Sequence, residues 1–141
     1  MSDTTDQGAE ASATPPSTPF EWIGGEAVVR TLVDRFYDLM DLEPQYRELR
    51  AAHGSTLDDA RDKLFWFLCG WLGGPPHYTS RFGHPMLRAR HMPFRIGIVE
   101  RDQWLACMDQ AMAESGVPQD LRERLRNSFF QTADWMRNVA R

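Results

Sequence analysis

The chain has 141 residues, of which 42% are hydrophobic and 26% are charged, and its formal net charge at pH 7 is -4. This length fits one domain with its own core. The negative charge repels phosphate, and there is no apolar run of about 18 residues, so neither a nucleic-acid partner nor a membrane partner is expected.

The chain begins with a polar, acidic stretch rich in Ser, Thr, Pro, Ala and Gly. Such a composition cannot bury enough surface to order itself, so we expect a disordered tail over residues 1–19 and a folded domain over 20–141. The stretch has no basic start and no apolar run, unlike a secretory signal, and a cytoplasmic location is expected. Cys69 and Cys107 lie in apolar helical patterns and are expected to be buried, reduced thiols.

Apolar residues then recur at spacings of three and four, which predicts an all-α fold. The first long helix covers roughly residues 26–41, and a shorter helical piece runs from Pro44 to about Arg50. Thr56 is expected to cap a helix that ends at the Gly-Gly-Pro-Pro break over 73–76.

Residues 77–83 are expected to form a loop. Pro85 suits the first turn of a short helix, and Pro93 predicts that this helix stops just past His91. A long helix is predicted from about 99 to 114, and a last helix follows Pro118, with Phe129 among the residues on its inner face.

His91 is the clearest candidate for a metal-ligand role. An imidazole in the last turn of a short helix offers a neutral nitrogen at a fixed position, as a haem iron ligand must. The alternative is a histidine that caps the C-terminus of its own helix. A zinc site from His77, His84 and His91 is disfavoured, because intervals of seven match no compact zinc spacing.

Residues 81–95 contain four arginines and no acidic residue: Arg81, Arg88, Arg90 and Arg95. Arginines beside an iron-binding histidine would pair with the two carboxylates of a haem. A solvated run of charge is the alternative interpretation.

Several separate motifs carry a family resemblance. They are GHPMLRARHMPFRI at 83–96, ERDQW at 100–104, Phe-Tyr at 36–37 and WLGGP at 71–75. In this order the sequence resembles the group II truncated haemoglobins over about residues 20–138. The resemblance implies a truncated globin-like two-over-two helical sandwich enclosing haem b. It makes His91, in the Arg-His-Met-Pro-Phe motif, the proximal ligand of a pentacoordinate iron.

The resemblance also implies the other residues of the site. Tyr37 and Trp104 match the family's distal tyrosine and tryptophan, which reach the bound ligand, and His53 matches a third distal position that varies among Tyr, Phe and His. From the residues alone, Tyr37 and Trp104 could equally be core aromatic side chains. The remaining implied positions are the distal wall (Ala60, Leu64 and Phe67) and the cofactor contacts (Leu64, Lys63, Tyr78, Arg90 and Phe94).

The resemblance implies a protein that binds dioxygen, carbon monoxide, nitric oxide or anionic ligands. Hydrogen bonds from Tyr37, Trp104 and, if its tautomer or charge permits, His53 would slow ligand release. This suits ligand capture, sensing or redox detoxification better than oxygen transport. One alternative is a haem enzyme with peroxidase-like or nitric-oxide-oxidising activity, supplied by a separate reductase. The other is a cofactor-free helical module that binds an acidic partner through the surface at 81–95.

Overall fold

The computed structural model describes residues 17–140, and within that range it contains helices and no strand. The elements are α1 (Pro19–Ile23), α2 (Glu26–Leu42), a 3-10 turn (Pro44–Tyr46), α3 (Arg47–Ala51), α4 (Asp58–Trp71), α5 (His77–Phe82), α6 (Leu87–His91), α7 (Ile98–Glu114) and α8 (Gln119–Trp135). A disordered tail was expected over residues 1–19, and residues 1–16 of this segment lie outside the described residues. No described helix is both long enough and apolar enough to span a bilayer.

Two pairs of long helices form the core. Helix α2 packs against α4 and α7, and α7 packs against α8. The apolar stripe of α2 is almost fully buried, from Val29 to Met40. In α4 only Leu68 and Cys69 are buried, although the helix also carries Leu64, Phe67 and Trp71. This helix therefore directs part of its apolar surface at a space that protein atoms do not fill.

Short connections fix the ends of these helices. Thr18 begins α1 by accepting a hydrogen bond from the Glu21 N–H at 3.1 Å. The Phe20 N–H donates to the Leu72 carbonyl oxygen at 2.9 Å, which joins α1 to the end of α4. At Gly74 a Cβ atom would lie 2.5 Å from the Phe20 ring. A glycine is thus required where α1 meets this turn.

The structure corrects three local expectations. Residues 77–83 are not a loop, because His77–Phe82 forms helix α5. The short helix begins at Leu87 rather than around Pro85, since Met86 before it has a left-handed φ of 48°. The residue at the N-cap of α4 is Leu57, and Thr56 instead accepts a hydrogen bond from the Asp58 N–H at 3.1 Å.

The cysteines were expected to be buried, and this is confirmed. Cys69 and Cys107 are both buried and free. The Cys107 thiol lies 3.3 Å from the Phe36 carbonyl oxygen, to which it donates a hydrogen bond. Both side chains are part of the core between the long helices.

Candidate functional site

A cavity of about 600 Å³ lies among α2, α4, α6, α7 and α8, a size suited to one organic cofactor. Every site residue proposed from the sequence lines it: Tyr37, His53, Ala60, Lys63, Leu64, Phe67, Tyr78, Arg90, His91, Phe94 and Trp104. Residues far apart in sequence are therefore brought to one space. Its walls are mostly apolar, and the few polar groups among them decide what it can bind.

His91 is held by a hydrogen bond within its own helix. Its Nδ1 atom lies 2.7 Å from the Leu87 carbonyl oxygen. A carbonyl oxygen only accepts, so Nδ1 carries the hydrogen and the neutral ring has its lone pair on Nε2. Metal-binding histidines have this arrangement, in which one nitrogen is oriented by a carbonyl and the other faces the metal. The capping interaction and a ligand role are thus compatible, because they use different ring nitrogens.

Tyr37 and Trp104 bring two hydrogen-bond donors to the cavity wall. Within residues 17–140, neither the Tyr37 hydroxyl nor the Trp104 indole N–H has a hydrogen-bond partner. Both rings are fixed by edge-on contact with Phe36, with centroid separations of 5.0 and 5.3 Å. Burial raises the pKa of Tyr37 far above its ordinary value, although Arg61 opposes this, so the hydroxyl keeps its proton. Unpartnered donors in such a wall favour a ligand that accepts hydrogen bonds.

His53 differs from these two donors. Its Nδ1 atom lies 2.9 Å from the Leu49 carbonyl oxygen and donates to it, so the neutral ring has an acceptor at Nε2. Burial lowers the pKa of His53, while its bond to Leu49 opposes the shift. His53 was expected to donate to a ligand if its tautomer or charge permitted. This tautomer has no hydrogen on Nε2, so donation from that atom would require a protonated ring.

Comparison with known proteins assigns this arrangement to a family. A family model described as bacterial-like globin matches residues 18–138. A group 2 truncated haemoglobin of Bacillus subtilis is 42% identical over 122 residues, which cover 86% of this chain and 89% of that protein. The chain belongs to the group II truncated haemoglobins.

Solved structures give the same result for the fold. A group II 2-on-2 haemoglobin from Agrobacterium tumefaciens is 43% identical, with a TM-score of 0.85 over 89% of this chain and 98% of that one. A truncated oxygen-avid haemoglobin from Bacillus subtilis is 42% identical, with a TM-score of 0.79 over 86% and 100% of the two chains. The predicted all-α, two-over-two fold is confirmed. Globin membership implies haem binding and argues against the cofactor-free module.

The wall of this truncated haemoglobin also carries two cations that suit the carboxylates of a haem. Lys63 and Arg90 line the cavity together with the buried Tyr78. The Arg90 guanidinium lies 5.9 Å from the Tyr78 ring, and its Nε donates to the Pro85 carbonyl oxygen at 2.8 Å. The Lys63 ammonium lies 6.0 Å from the ring of Phe82. An apolar plate with two carboxylates fits walls of this composition.

Only Arg90 among the four arginines at 81–95 lines the cavity. Arg81 lies over the Trp66 ring at 4.4 Å. Arg88 donates to the carbonyl oxygens of Trp135 and Arg137, both at 3.0 Å. The expectation that these arginines together face the haem carboxylates is therefore wrong for Arg81 and Arg88, because each is engaged by another part of its own chain.

The three histidines considered as zinc ligands each have a hydrogen-bond partner in the protein. His77 Nε2 lies 2.8 Å from a Glu26 carboxylate oxygen, and His84 Nδ1 accepts the Met86 N–H at 3.1 Å. In the part of the chain that the structure describes, no three His, Cys, Asp or Glu side chains form a metal-binding group.

Sequence reasoning missed the contribution of α8 to the cavity. Phe129, Ala133 and Met136 line it, and the Phe129 ring packs against Trp71 and Trp104 at centroid distances of 4.8 and 5.3 Å. The signal was present, since these residues follow one face of the last helix at spacings of three and four. The pattern could not distinguish a face on the core from a face on a cofactor.

Proposed function

We propose that this truncated haemoglobin binds haem b through the Nε2 atom of His91 and holds dioxygen and related small ligands beside Tyr37 and Trp104. One observation carries the proposal. The same cavity contains a histidine whose Nδ1 donates to the Leu87 carbonyl oxygen and two aromatic donors that have no hydrogen-bond partner among the described residues. Lys63 and Arg90 would pair with the two carboxylates of the porphyrin.

Haem iron, when bound, supplies an open coordination position for a small ligand. Tyr37 and Trp104 donate hydrogen bonds to a ligand there that carries negative charge. Each such bond contributes about 1–3 kcal/mol, so two of them slow ligand release by roughly tens- to thousands-fold. Ala60 and Leu64 have no polar group and add no donor, and neutral His53 offers only an acceptor.

Slow release suits ligand capture, sensing or redox detoxification better than oxygen transport. The description of the Bacillus subtilis structure as oxygen-avid supports this choice. The same donors favour anionic ligands on oxidised iron. Redox turnover would require electrons from a separate reductase, because no such domain is expected within residues 20–141.

The test is an absorption spectrum of the purified protein as isolated, after reduction and after addition of carbon monoxide. We expect an intense Soret band that shifts at each step, and a pyridine haemochrome spectrum typical of haem b. His91→Gly should lose the native spectrum and regain it with added imidazole. His84→Gly, at an exposed position outside the cavity, serves as the matched control and should behave as wild type.

Two results would count against the proposal. A protein without a Soret band, even after addition of hemin, has no haem site of this kind. A His91→Gly protein with native spectra before imidazole is added would place the iron ligand elsewhere in the chain.

A further inference from the structure

The helix that carries His91 is weakly held by apolar packing. Helix α6 has five residues, none of them buried, and among the described elements it makes no extensive contact with another helix. A helix of this length has no stability of its own in water. The position of the His91 ring must therefore depend on polar contacts from elsewhere.

Those contacts come from the segment that follows α8. The Asn138 side-chain amide donates to the Phe94 carbonyl oxygen at 2.6 Å and to the His91 carbonyl oxygen at 3.3 Å. Its Oδ1 accepts the Ile96 N–H at 2.9 Å, and its backbone N–H donates to the Ile96 carbonyl oxygen at 2.9 Å. One asparagine thus binds both ends of the turn that begins at His91.

Arg88 makes the reciprocal connection from within α6. Its guanidinium donates to the carbonyl oxygens of Trp135 and Arg137, where the C-terminus of α8 favours a positive charge. Asp134 anchors the same segment, because it accepts from Arg101 of α7 at 2.7 Å and from Arg137 at 2.9 Å. The segment is therefore fixed to the core on one side and to α6 on the other.

We propose that Asn138 and Arg88 are positioning residues that set the place of the His91 ring relative to the haem iron. The inference rests on the proposed function, since it requires His91 to be the iron ligand. Asn138 acts on the backbone at the end of α6, and Arg88 acts one turn earlier. Together they replace the apolar packing that the helix lacks.

The experiment compares Asn138→Ala and Asn138→Asp with wild type in the haem-loaded protein, oxidised for hemin loss and reduced for the Raman spectra. The alanine removes all three side-chain bonds, whereas the aspartate keeps the acceptor for Ile96 and loses both donors. We expect hemin loss to accelerate about five- to tenfold in the alanine variant. The iron–histidine stretching band in resonance Raman spectra should shift or broaden in both variants. Asn127→Ala, at an exposed asparagine on α8, is the control.

The same substitution in the His91→Gly protein distinguishes a positioning role of Asn138 from a general role in the stability of the fold. In the His91→Gly protein supplied with imidazole, the ligand is no longer attached to α6. If Asn138 acts through His91, Asn138→Ala should leave hemin loss unchanged there, which a double-mutant cycle measures. An equal acceleration in both backgrounds would overturn the proposal and make Asn138 a general structural residue.

The outcomes also distinguish the two proposals from each other. A wild-type protein without an iron–histidine band contradicts the assignment of His91 as ligand, whatever Asn138 does. A wild-type protein with the band, together with Asn138 and Arg88→Ala variants that match Asn127→Ala in band position and hemin loss, contradicts the positioning role alone. Asn138→Asp keeps the test decisive if the alanine variant does not fold.

Discussion

The imidazole of His53 donates a hydrogen bond from Nδ1 to the carbonyl oxygen of Leu49, at 2.9 Å. The bond fixes the neutral ring with its lone pair on Nε2, so His53 offers an acceptor in a cavity that Tyr37 and Trp104 line with donors. Under the proposed function, a ligand with negative charge would be stabilised by Tyr37 and Trp104 and not by neutral His53. At this position of the cavity wall the neutral imidazole therefore presents an acceptor and not a donor.

Tyr37→Phe should separate ligand binding from stability. The hydroxyl has no protein partner within the described residues, so its removal should change the free energy of unfolding by less than about 0.5 kcal/mol. The contact with Phe36 is kept. Oxygen release, followed by stopped-flow displacement, should accelerate by about tenfold or more. An unchanged release rate would indicate that Tyr37 is a core aromatic residue and does not contact the ligand.

Tyr46→Phe is the matched control for that variant. The Tyr46 hydroxyl donates to Gln110 Oε1 at 2.6 Å, outside the cavity. Its loss should cost about 1 kcal/mol of stability in urea unfolding and leave the oxygen release rate unchanged. The two tyrosines are thus expected to show opposite patterns in the same two measurements.

Trp104→Phe should remove the second donor and preserve the aromatic packing against Phe36 and Phe129. We expect oxygen release to be about ten- to a hundredfold faster, with an unchanged circular dichroism spectrum. Trp71→Phe removes the same volume from another tryptophan of the cavity wall, whose ring is stacked on Phe129 at 4.8 Å. Because Trp71→Phe also removes an indole N–H from the cavity wall, equal oxygen release rates in the two variants would show that the effect is not specific to Trp104.

His53 should make the folded protein sensitive to acid. Burial lowers its pKa in the folded state below the ordinary value of 6.5, so the unfolded chain binds the proton more readily. The contribution of the neutral ring to stability is complete above about pH 6.5 and is lost as the pH falls through the folded-state pKa. Urea unfolding of wild type and His53→Gln, in one haem state, should show wild type losing stability relative to the variant as pH falls from about 7 to 5. A constant difference would contradict this.

Gly74→Ala should destabilise the fold without touching the cavity. Its Cβ would lie 2.5 Å from the ring of Phe20, so α1 must shift away from the end of α4. We expect a loss of about 1–3 kcal/mol in the free energy of unfolding. Gly54→Ala is the control, because a Cβ there meets no atom within 4 Å. Equal stabilities of the two variants would show that α1 does not pack tightly at Gly74.

The sequence predicted the long helices well, because each buries a regular apolar stripe. It failed for α5, a six-residue helix between a Gly-Pro break and Gly83, where too few residues exist for a period to show. Tertiary contacts stabilise that helix instead. The His77 ring stacks on Phe65 at 6.2 Å, and the Tyr78 ring meets Phe67 at 6.3 Å. No local pattern predicts such contacts.

The lining of the cavity could be predicted only through the family resemblance, since spacing alone left Tyr37 and Trp104 as plausible core residues. The tautomer of His53 could not be predicted from the sequence, because it depends on where the Leu49 carbonyl oxygen lies in the folded protein. The contacts of Arg88 and Asn138 join segments nearly fifty residues apart. Arg88 lies in the motif at 83–96, but that motif does not indicate which residues its guanidinium contacts, and Asn138 belongs to no motif or periodic pattern. The pairing of these segments therefore could not be predicted from the sequence.

The two buried thiols limit where oxidative chemistry can occur in this protein. Burial raises the pKa of Cys69 to about 11 and that of Cys107 to about 12. Both thiols are therefore protonated at pH 7, and the reactive thiolate is scarce. Peroxide that reaches the interior therefore meets protonated thiols, which are poor nucleophiles. We expect peroxide to form little sulfenic acid at these two positions, because the thiolate and not the thiol is the nucleophile.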